Sequence, residues 1–144
     1  MANFLLKKSD ENEQAAVLLE GKTWFAPSVH CSYYSCIQAL IYLLMEKRDK
    51  KINSAELKSE FDEWKRSPFN RKGGSHVFYI QTVKYLLKKN GKEDKVKDYN
   101  KIFSLQGYRE KSDYMPEDIT PTECTEAKKI RDNFVRDIKN VFGI

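Results

Sequence analysis

The stretch at residues 25–47 constrains the fold more than any other part of the sequence. It reads FAPSVHCSYYSCIQALIYLLMEK and contains neither glycine nor proline after Pro27. Its apolar side chains recur at helical spacing, and Tyr34, Cys36 and Ile41 extend the apolar stripe around most of the circumference. A helix with so little polar surface is surrounded by other helices, so we expect it to be the central one of a bundle. Its predicted inward positions are Val29, Tyr33, Ile37, Leu40 and Leu44.

Four further helices are predicted around it, because only six glycines and four prolines interrupt the 144 residues. A polar connector at 48–75 is expected to hold one additional short helix at 54–65, capped by Ser54. The first of the other helices is predicted from residue 9 or 10 to residue 20, with an extension over residues 1–6 as the alternative. The remaining three are predicted over 75–89, from 93 to 108 or beyond, and from 121 to the C-terminus. The predicted inward positions of the helix that ends at residue 20 include Ala15, Leu18 and Leu19. Those of the helix at 75–89 include Val77, Ile80 and Leu87, and those of the helix from 93 include Val96, Tyr99, Ile102 and Phe103.

The last helix has the best-defined start. Thr120 is placed to cap it, Pro121 occupies the first helical position, and Glu123 can return a hydrogen bond to the cap backbone. Apolar positions then follow every three or four residues to the end of the chain. The sequence therefore predicts an all-α protein, an antiparallel bundle of four or five helices forming one domain over residues 1–144.

Composition narrows the class of function. The formal net charge is +5 and the isoelectric point is about 9.0, which favours an anionic partner. No apolar run reaches the roughly 18 residues that span a bilayer, so no membrane association is expected. The three cysteines lack metal-site spacing and, with no secretory signal in the N-terminal residues, indicate a reduced cytoplasmic protein. No nucleotide-loop, dinucleotide or zinc motif is present, so neither a cofactor nor a metal is predicted.

The segment at 105–118, LQGYREKSDYMPED, holds the candidate site. Arg109, Asp113 and Tyr114 are spaced so that a guanidinium, a carboxylate and a phenol can surround one helix end. One interpretation is structural: an Arg–Asp ion pair four residues apart and a tyrosine that covers the end of the bundle. The other is functional, with Arg109 as an anion-binding residue.

The order of the predicted helices and of the segment at 105–118 resembles that of the HEPN superfamily, named for higher eukaryote and prokaryote nucleotide-binding domains. The resemblance covers nearly the whole chain and is carried by AAVLLEGKTWFAPS, HCSYYSCIQALIYLL, SHVFYIQTVKYLL, YREKSDY and ECTEAKKIRDNFVRDIKNVF. The R-x-x-x-D-Y signature at Arg109, Asp113 and Tyr114 matches a small prokaryotic branch. The resemblance implies an RNA- or nucleotide-binding homodimer, the toxin-type partner of a minimal nucleotidyltransferase in a toxin–antitoxin or defence module.

Many members of this superfamily are metal-independent ribonucleases with an R-x(4–6)-H motif, which makes a ribonuclease the alternative function. Here no histidine follows Arg109, and the nearest earlier one is His76. The catalytic candidates are therefore Arg109, Asp113 and Tyr114, with His76 as a further one. A non-catalytic structural or adaptor dimer is the third hypothesis.

Four other features receive weaker interpretations. The string from Arg71 to His76 spells R-x4-H, but two glycines separate the pair, so we expect His76 to pack or cap a helix start instead. His30 and Cys31 are adjacent and point about 100° apart on a helix, which argues against a catalytic pair.

Tyr33 and Tyr34 are expected in the core rather than stacked on a base. A phosphate-binding role is assigned to Lys88, Lys89 and Lys92, although acidic neighbours make an ordinary solvated surface the competing interpretation.

Overall fold

The computed structural model describes residues 2–144, and within them the chain forms six α-helices and no strand. Two short 3-10 turns, Pro68–Asn70 and Glu93–Lys95, lie in the connections. The all-α prediction is confirmed, and the short connector helix is the sixth member. The helices are α1 Asn3–Gly21, α2 Phe25–Glu46, α3 Ser54–Lys65, α4 Ser75–Lys89, α5 Lys101–Tyr114 and α6 Pro121–Phe142.

Helix α2 is the centre of the bundle, as its sequence predicts. It contacts all five of the other helices. All five predicted inward positions are buried, and twelve of its 22 residues are buried in total. Because one helix supplies the middle of the core, side chains from α4 and α5 meet on its surface, and this junction holds the candidate site.

The start of α6 also follows the prediction. The Thr120 side chain accepts a hydrogen bond from the Glu123 backbone N–H, and the Glu123 carboxylate accepts one from the Thr120 backbone N–H. This reciprocal pair satisfies two amides that the helix itself leaves unpaired. At α3 the expected cap was wrong by one residue, since Asn53 rather than Ser54 caps the helix and pairs with Glu56.

Helix α1 includes part of the N-terminal extension that the sequence left open, but its buried face differs from the prediction. It begins at Asn3, and its buried residues are Leu5, Ser9 and Ala16, whereas Leu18 is 63% exposed. The reason is that α1 approaches α2 closely through hydroxyl contacts rather than through a leucine stripe. The Ser9 hydroxyl donates to the Ser35 carbonyl at 2.7 Å, and the Ser28 hydroxyl donates to the Ala16 carbonyl at 2.7 Å.

The helix predicted to begin at residue 93 begins later in the structure, so this predicted start was wrong. Residues 93–95 form a 3-10 turn, Asp98 has a left-handed φ of 58°, and α5 begins only at Lys101. Val96 and Tyr99 are buried as expected, and the Tyr99 hydroxyl donates to the Ile80 carbonyl, so tertiary contacts hold this segment outside a helix. The register of α5 turns the Phe103 side chain outward, where it is 40% exposed, so its predicted inward position was wrong.

The inward face of α4 also differs from the prediction at one position. Phe78 is buried, whereas Val77, predicted to face inward, is only half-buried.

Within the described part of the chain, no helix combines the length and the apolar character needed to cross a bilayer.

Candidate functional site

Three helices bring the predicted site residues together. Arg109, Asp113 and Tyr114 lie on the last turns of α5, His76 is the second residue of α4, and a face of α2 lies against them. We call this group the Arg109 cluster. Its members are Arg109, Asp113, Tyr114 and His76 together with His30, Tyr33 and Tyr34 of α2.

Arg109 lies in a cage of aromatic rings. Its guanidinium carbon is 5.1 Å from the ring centroid of Tyr33, 6.0 Å from that of Tyr34 and 5.7 Å from that of Tyr114. The side chain is 11% exposed. Such contacts hold a cation by the negative ring faces, so the aromatic cage fixes the position of the guanidinium largely through the rings rather than through hydrogen bonds.

The polar contacts of Arg109 are few for so buried a group. Nη1 donates to the Tyr114 hydroxyl at 3.4 Å and lies 3.6 Å from a carboxylate oxygen of Asp113, while buried Nε has no hydrogen-bond partner among residues 2–144. The Arg109–Asp113 pair confirms the ion pair that the sequence spacing predicts. It is long for such a pair, which leaves donor capacity unused.

Tyr33 and His76 form the buried side of the cluster. The Tyr33 side chain is fully buried, and its hydroxyl oxygen is 3.0 Å from Nδ1 of His76. Burial raises the pKa of Tyr33 to about 12, although the nearby Arg109 charge opposes this shift. Burial and then the Arg109 charge lower the pKa of His76, so its imidazole is neutral at pH 7.

The positions of Tyr33 and His76 decide two of the sequence interpretations. Tyr33 is a core residue with a satisfied hydroxyl, as expected. His76 does pack at the start of α4, but it also lies beside Arg109, a closeness that the sequence separation of the two residues gave no reason to expect. Arg71, its partner in the R-x4-H string, is exposed.

His30 is the site residue that sequence reasoning missed. Its Nδ1 lies 3.1 Å and 3.2 Å from the two carboxylate oxygens of Asp113, across the junction between α2 and α5. Its ring packs against Tyr34 with the centroids 4.6 Å apart. The one available signal was spacing: His30, Tyr33 and Tyr34 share a face of α2 at positions i, i+3 and i+4.

The three lysines assigned to phosphate binding lie away from the cluster. Lys88 and Lys89 end α4, about 18 Å along the helix axis from His76, and Lys92 follows in the next turn. All three are exposed. Lys89 borders a cavity of about 500 Å³ that also contacts Arg48 and Tyr85, and Lys92 borders a second one. The structure therefore does not bring these lysines together with Arg109.

The cysteines take no part in the cluster. All three are free thiols, with Cys36 and Cys124 buried and Cys31 half-buried. Burial raises the pKa of Cys36 to about 12 and also raises that of Cys31, so both remain protonated thiols rather than nucleophilic thiolates. Over residues 2–144, no three His, Cys, Asp or Glu side chains are grouped in a way that could hold a metal ion.

Models of protein families, curated proteins and solved structures were compared with the chain, and none matches it. The interpretation of the site therefore depends on its own geometry and on the sequence resemblance described above.

Proposed function

We propose that this chain is a HEPN-like protein that binds RNA or a nucleotide through a phosphate group at the Arg109 cluster. The observation that supports this is the incomplete hydrogen bonding of a largely buried guanidinium. Arginine carries five N–H donors, yet the bond from Nη1 to the Tyr114 hydroxyl is 3.4 Å long and the nearest Asp113 oxygen is 3.6 Å from Nη1. Nε is enclosed and has no partner within residues 2–144, so the terminal Nη nitrogens are the donors that a phosphate would contact.

A phosphate is the ligand that best satisfies such a group. Ring faces attract the positive charge, but they leave in-plane N–H donors without strong acceptors. Asp113 is the nearest carboxylate, and it is shared with His30 rather than committed to Arg109. Phosphate oxygens accept two parallel bonds from one guanidinium, and such charge-assisted bonds gain strength where water is excluded.

The surrounding aromatic rings favour a nucleotide over a free phosphate. Tyr34 is half-buried and Tyr114 is 72% exposed, so both carry ring surface on which a base can stack. Stacking on tyrosine is the usual way in which unpaired RNA bases are bound. The exposed lysines at the far end of α4, about 18 Å along its axis from His76, are part of the proposal as a second phosphate contact for a longer RNA.

The homodimer and the nucleotidyltransferase-type antitoxin partner are parts of the same proposal. Their support is the sequence resemblance, together with exposed apolar side chains beside the cluster, where Tyr114 is followed by Met115 at 57% exposure. Light scattering on the purified chain measures the dimer directly.

A metal-independent ribonuclease is the second candidate function. What favours it is the presence of two imidazoles, His30 and His76, whose ring centroids lie 4.6 Å and 5.6 Å from that of Tyr34. A histidine near a phosphate-binding arginine is the combination that RNA transesterification needs. The purely structural alternative is that Arg109 only fastens the end of α5 to α2.

Binding of a fluorescently labelled single-stranded RNA to the full chain tests the proposal. We expect Arg109→Gln to weaken binding about tenfold or more, with a smaller dependence on salt. Arg136→Gln is the matched control, because Arg136 is 62% exposed and, within residues 2–144, pairs only with the adjacent Asp137. If Arg109→Gln lowers the melting temperature and leaves RNA affinity unchanged, the structural alternative replaces the proposal.

A further inference from the structure

The pair of His30 and Asp113 has the geometry of an imidazole oriented by a carboxylate. The two residues are 83 positions apart in sequence, yet Nδ1 of His30 is within 3.2 Å of both Asp113 oxygens. The His30 side chain is 45% exposed and that of Asp113 is 22% exposed. One nitrogen of the ring is therefore held by the protein while the ring itself reaches solvent.

The chemistry of the two groups fixes the position of the proton on His30. An ionised carboxylate only accepts hydrogen bonds, so Nδ1 must carry the hydrogen that it donates to Asp113. In the neutral ring this leaves Nε2 with a free lone pair. Nε2 has no hydrogen-bond partner within residues 2–144. His30 is thus arranged as a proton acceptor.

His76 has the opposite arrangement. The Tyr33 hydroxyl is fully buried beside the Arg109 charge, and Nδ1 of His76 is its only acceptor in the described part of the chain. The Tyr33 O–H therefore donates to Nδ1, and the hydrogen of neutral His76 resides on Nε2. His76 can donate to a phosphate oxygen, but its remaining nitrogen is not free to take a proton.

We propose that His30 is the proton-accepting catalytic residue of the Arg109 cluster, acting on the ribose 2′-hydroxyl of bound RNA, and that Asp113 is its positioning residue. The proposal rests on the ribonuclease candidate above. Neither the R-x-x-x-D-Y signature nor the R-x4-H string contains His30.

The reaction balances without an oxidant or a metal. Nε2 of His30 takes the proton from O2′, O2′ forms a bond to the adjacent phosphorus, and the bond from phosphorus to O5′ breaks. O5′ gains a proton from water, and protonated His30 returns its proton to solvent. The products are a 2′,3′-cyclic phosphate and a 5′-hydroxyl end. Arg109 is placed to stabilise the charge on the phosphate oxygens during this step.

The exposed position of His30 also fits an ordinary ion pair at the edge of two helices. The two roles differ in what substitution of Asp113 does. In an Asp113→Asn variant, the introduced side-chain amide can present its N–H₂ group to Nδ1 of His30. This moves the ring hydrogen to Nε2 and removes the free lone pair, while the shape of the site is kept.

The test combines cleavage, binding and the tautomer of His30 on the full chain. Cleavage of a single-stranded RNA is followed in EDTA, with detection of 2′,3′-cyclic phosphate ends. We expect His30→Gln to reduce the cleavage rate by about a hundredfold or more and Asp113→Asn by a comparable factor. Binding of a 2′-O-methyl RNA, which cannot be cleaved, should be retained by both variants, and Asp113→Asn should not weaken it because this substitution removes a negative charge 3.6 Å from Nη1 of Arg109. Asp62→Asn is the control, since Asp62 forms an ordinary exposed pair with Lys58.

Long-range ¹H–¹⁵N NMR spectra test whether Asp113 sets the tautomer of His30, and the cleavage rates then show whether that tautomer matters for the reaction. We expect the Nδ1–H form of His30 in the unaltered chain and the Nε2–H form in Asp113→Asn. The inference is overturned if the unaltered chain binds RNA without cleaving it, if His30→Gln cleaves at the normal rate, or if His30 already has the Nε2–H form. Each of these outcomes leaves RNA binding at Arg109 intact, whereas unchanged binding in Arg109→Gln overturns the proposed function itself.

Discussion

The Tyr33 hydroxyl and Nδ1 of His76 lie 3.0 Å apart and join the central helix to the start of α4 at the floor of the Arg109 cluster. This contact keeps a neutral imidazole next to a permanently charged guanidinium. Both burial and the Arg109 charge disfavour the protonated form of His76, which lowers its pKa, and the hydroxyl stabilises the neutral form. The consequences can be measured without knowing the ligand.

We expect an NMR titration to give His76 a pKa below its usual 6.5, and Arg109→Gln to move that pKa back toward 6.5. An unfolded chain takes up this proton near pH 6.5, whereas the native chain takes it up only at lower pH. The free energy of unfolding should therefore fall as the pH is lowered through that window, and His76→Asn should remove this part of the pH dependence. A His76 pKa above 6.5 would contradict the account of its environment.

A second prediction concerns the hydroxyl contacts between α1 and α2. Ser35 donates to the Ser9 carbonyl at 2.8 Å and accepts a hydrogen bond from Nε of Arg131 at 2.8 Å. Ser35→Ala leaves both partners without this hydroxyl, so the free energy of unfolding should decrease by about 1–3 kcal/mol in urea denaturation. Ser104→Ala, at an exposed position on α5, should change it by no more than about 0.5 kcal/mol. Equal effects of the two substitutions would rule out a structural role for the serine contacts.

The third prediction separates the lysines from the cluster. Replacing Lys88, Lys89 and Lys92 together by serine should weaken the binding of a long single-stranded RNA and reduce the slope of log affinity against log salt by about 2. Binding of a dinucleotide should not change, because the lysines lie about 18 Å from His76 along α4. Loss of dinucleotide binding in the triple variant would place the primary phosphate site at the lysines.

The parts of the fold that followed from the sequence are those encoded by local patterns. The breaker-free stretch predicts α2, and the residues from Thr120 to Glu123 predict the start of α6, because a capping box is complete within four residues. The start of α5 could not be obtained in this way. Asp98 has a left-handed backbone and Tyr99 bonds to Ile80, and both depend on how the segment packs against the rest of the chain.

The same distinction holds for the site. The contact between Arg109 and Asp113 was predictable, since residues four apart meet on a helix. The contact between His30 and Asp113 joins residues 83 positions apart, and a single sequence carries no signal for it. On α1, the leucine stripe was a misleading guide because the close approach to α2 requires small side chains such as Ser9 and Ala16.

The most direct test of the central claim is an NMR titration that follows the guanidinium ¹⁵N–¹H resonances of Arg109 during addition of a short 2′-O-methyl RNA. The account predicts that the Arg109 resonances shift with the same saturation curve as overall binding, while those of the exposed Arg136 stay unchanged. Saturable RNA binding with unmoved Arg109 resonances would contradict it, as would the absence of any RNA binding.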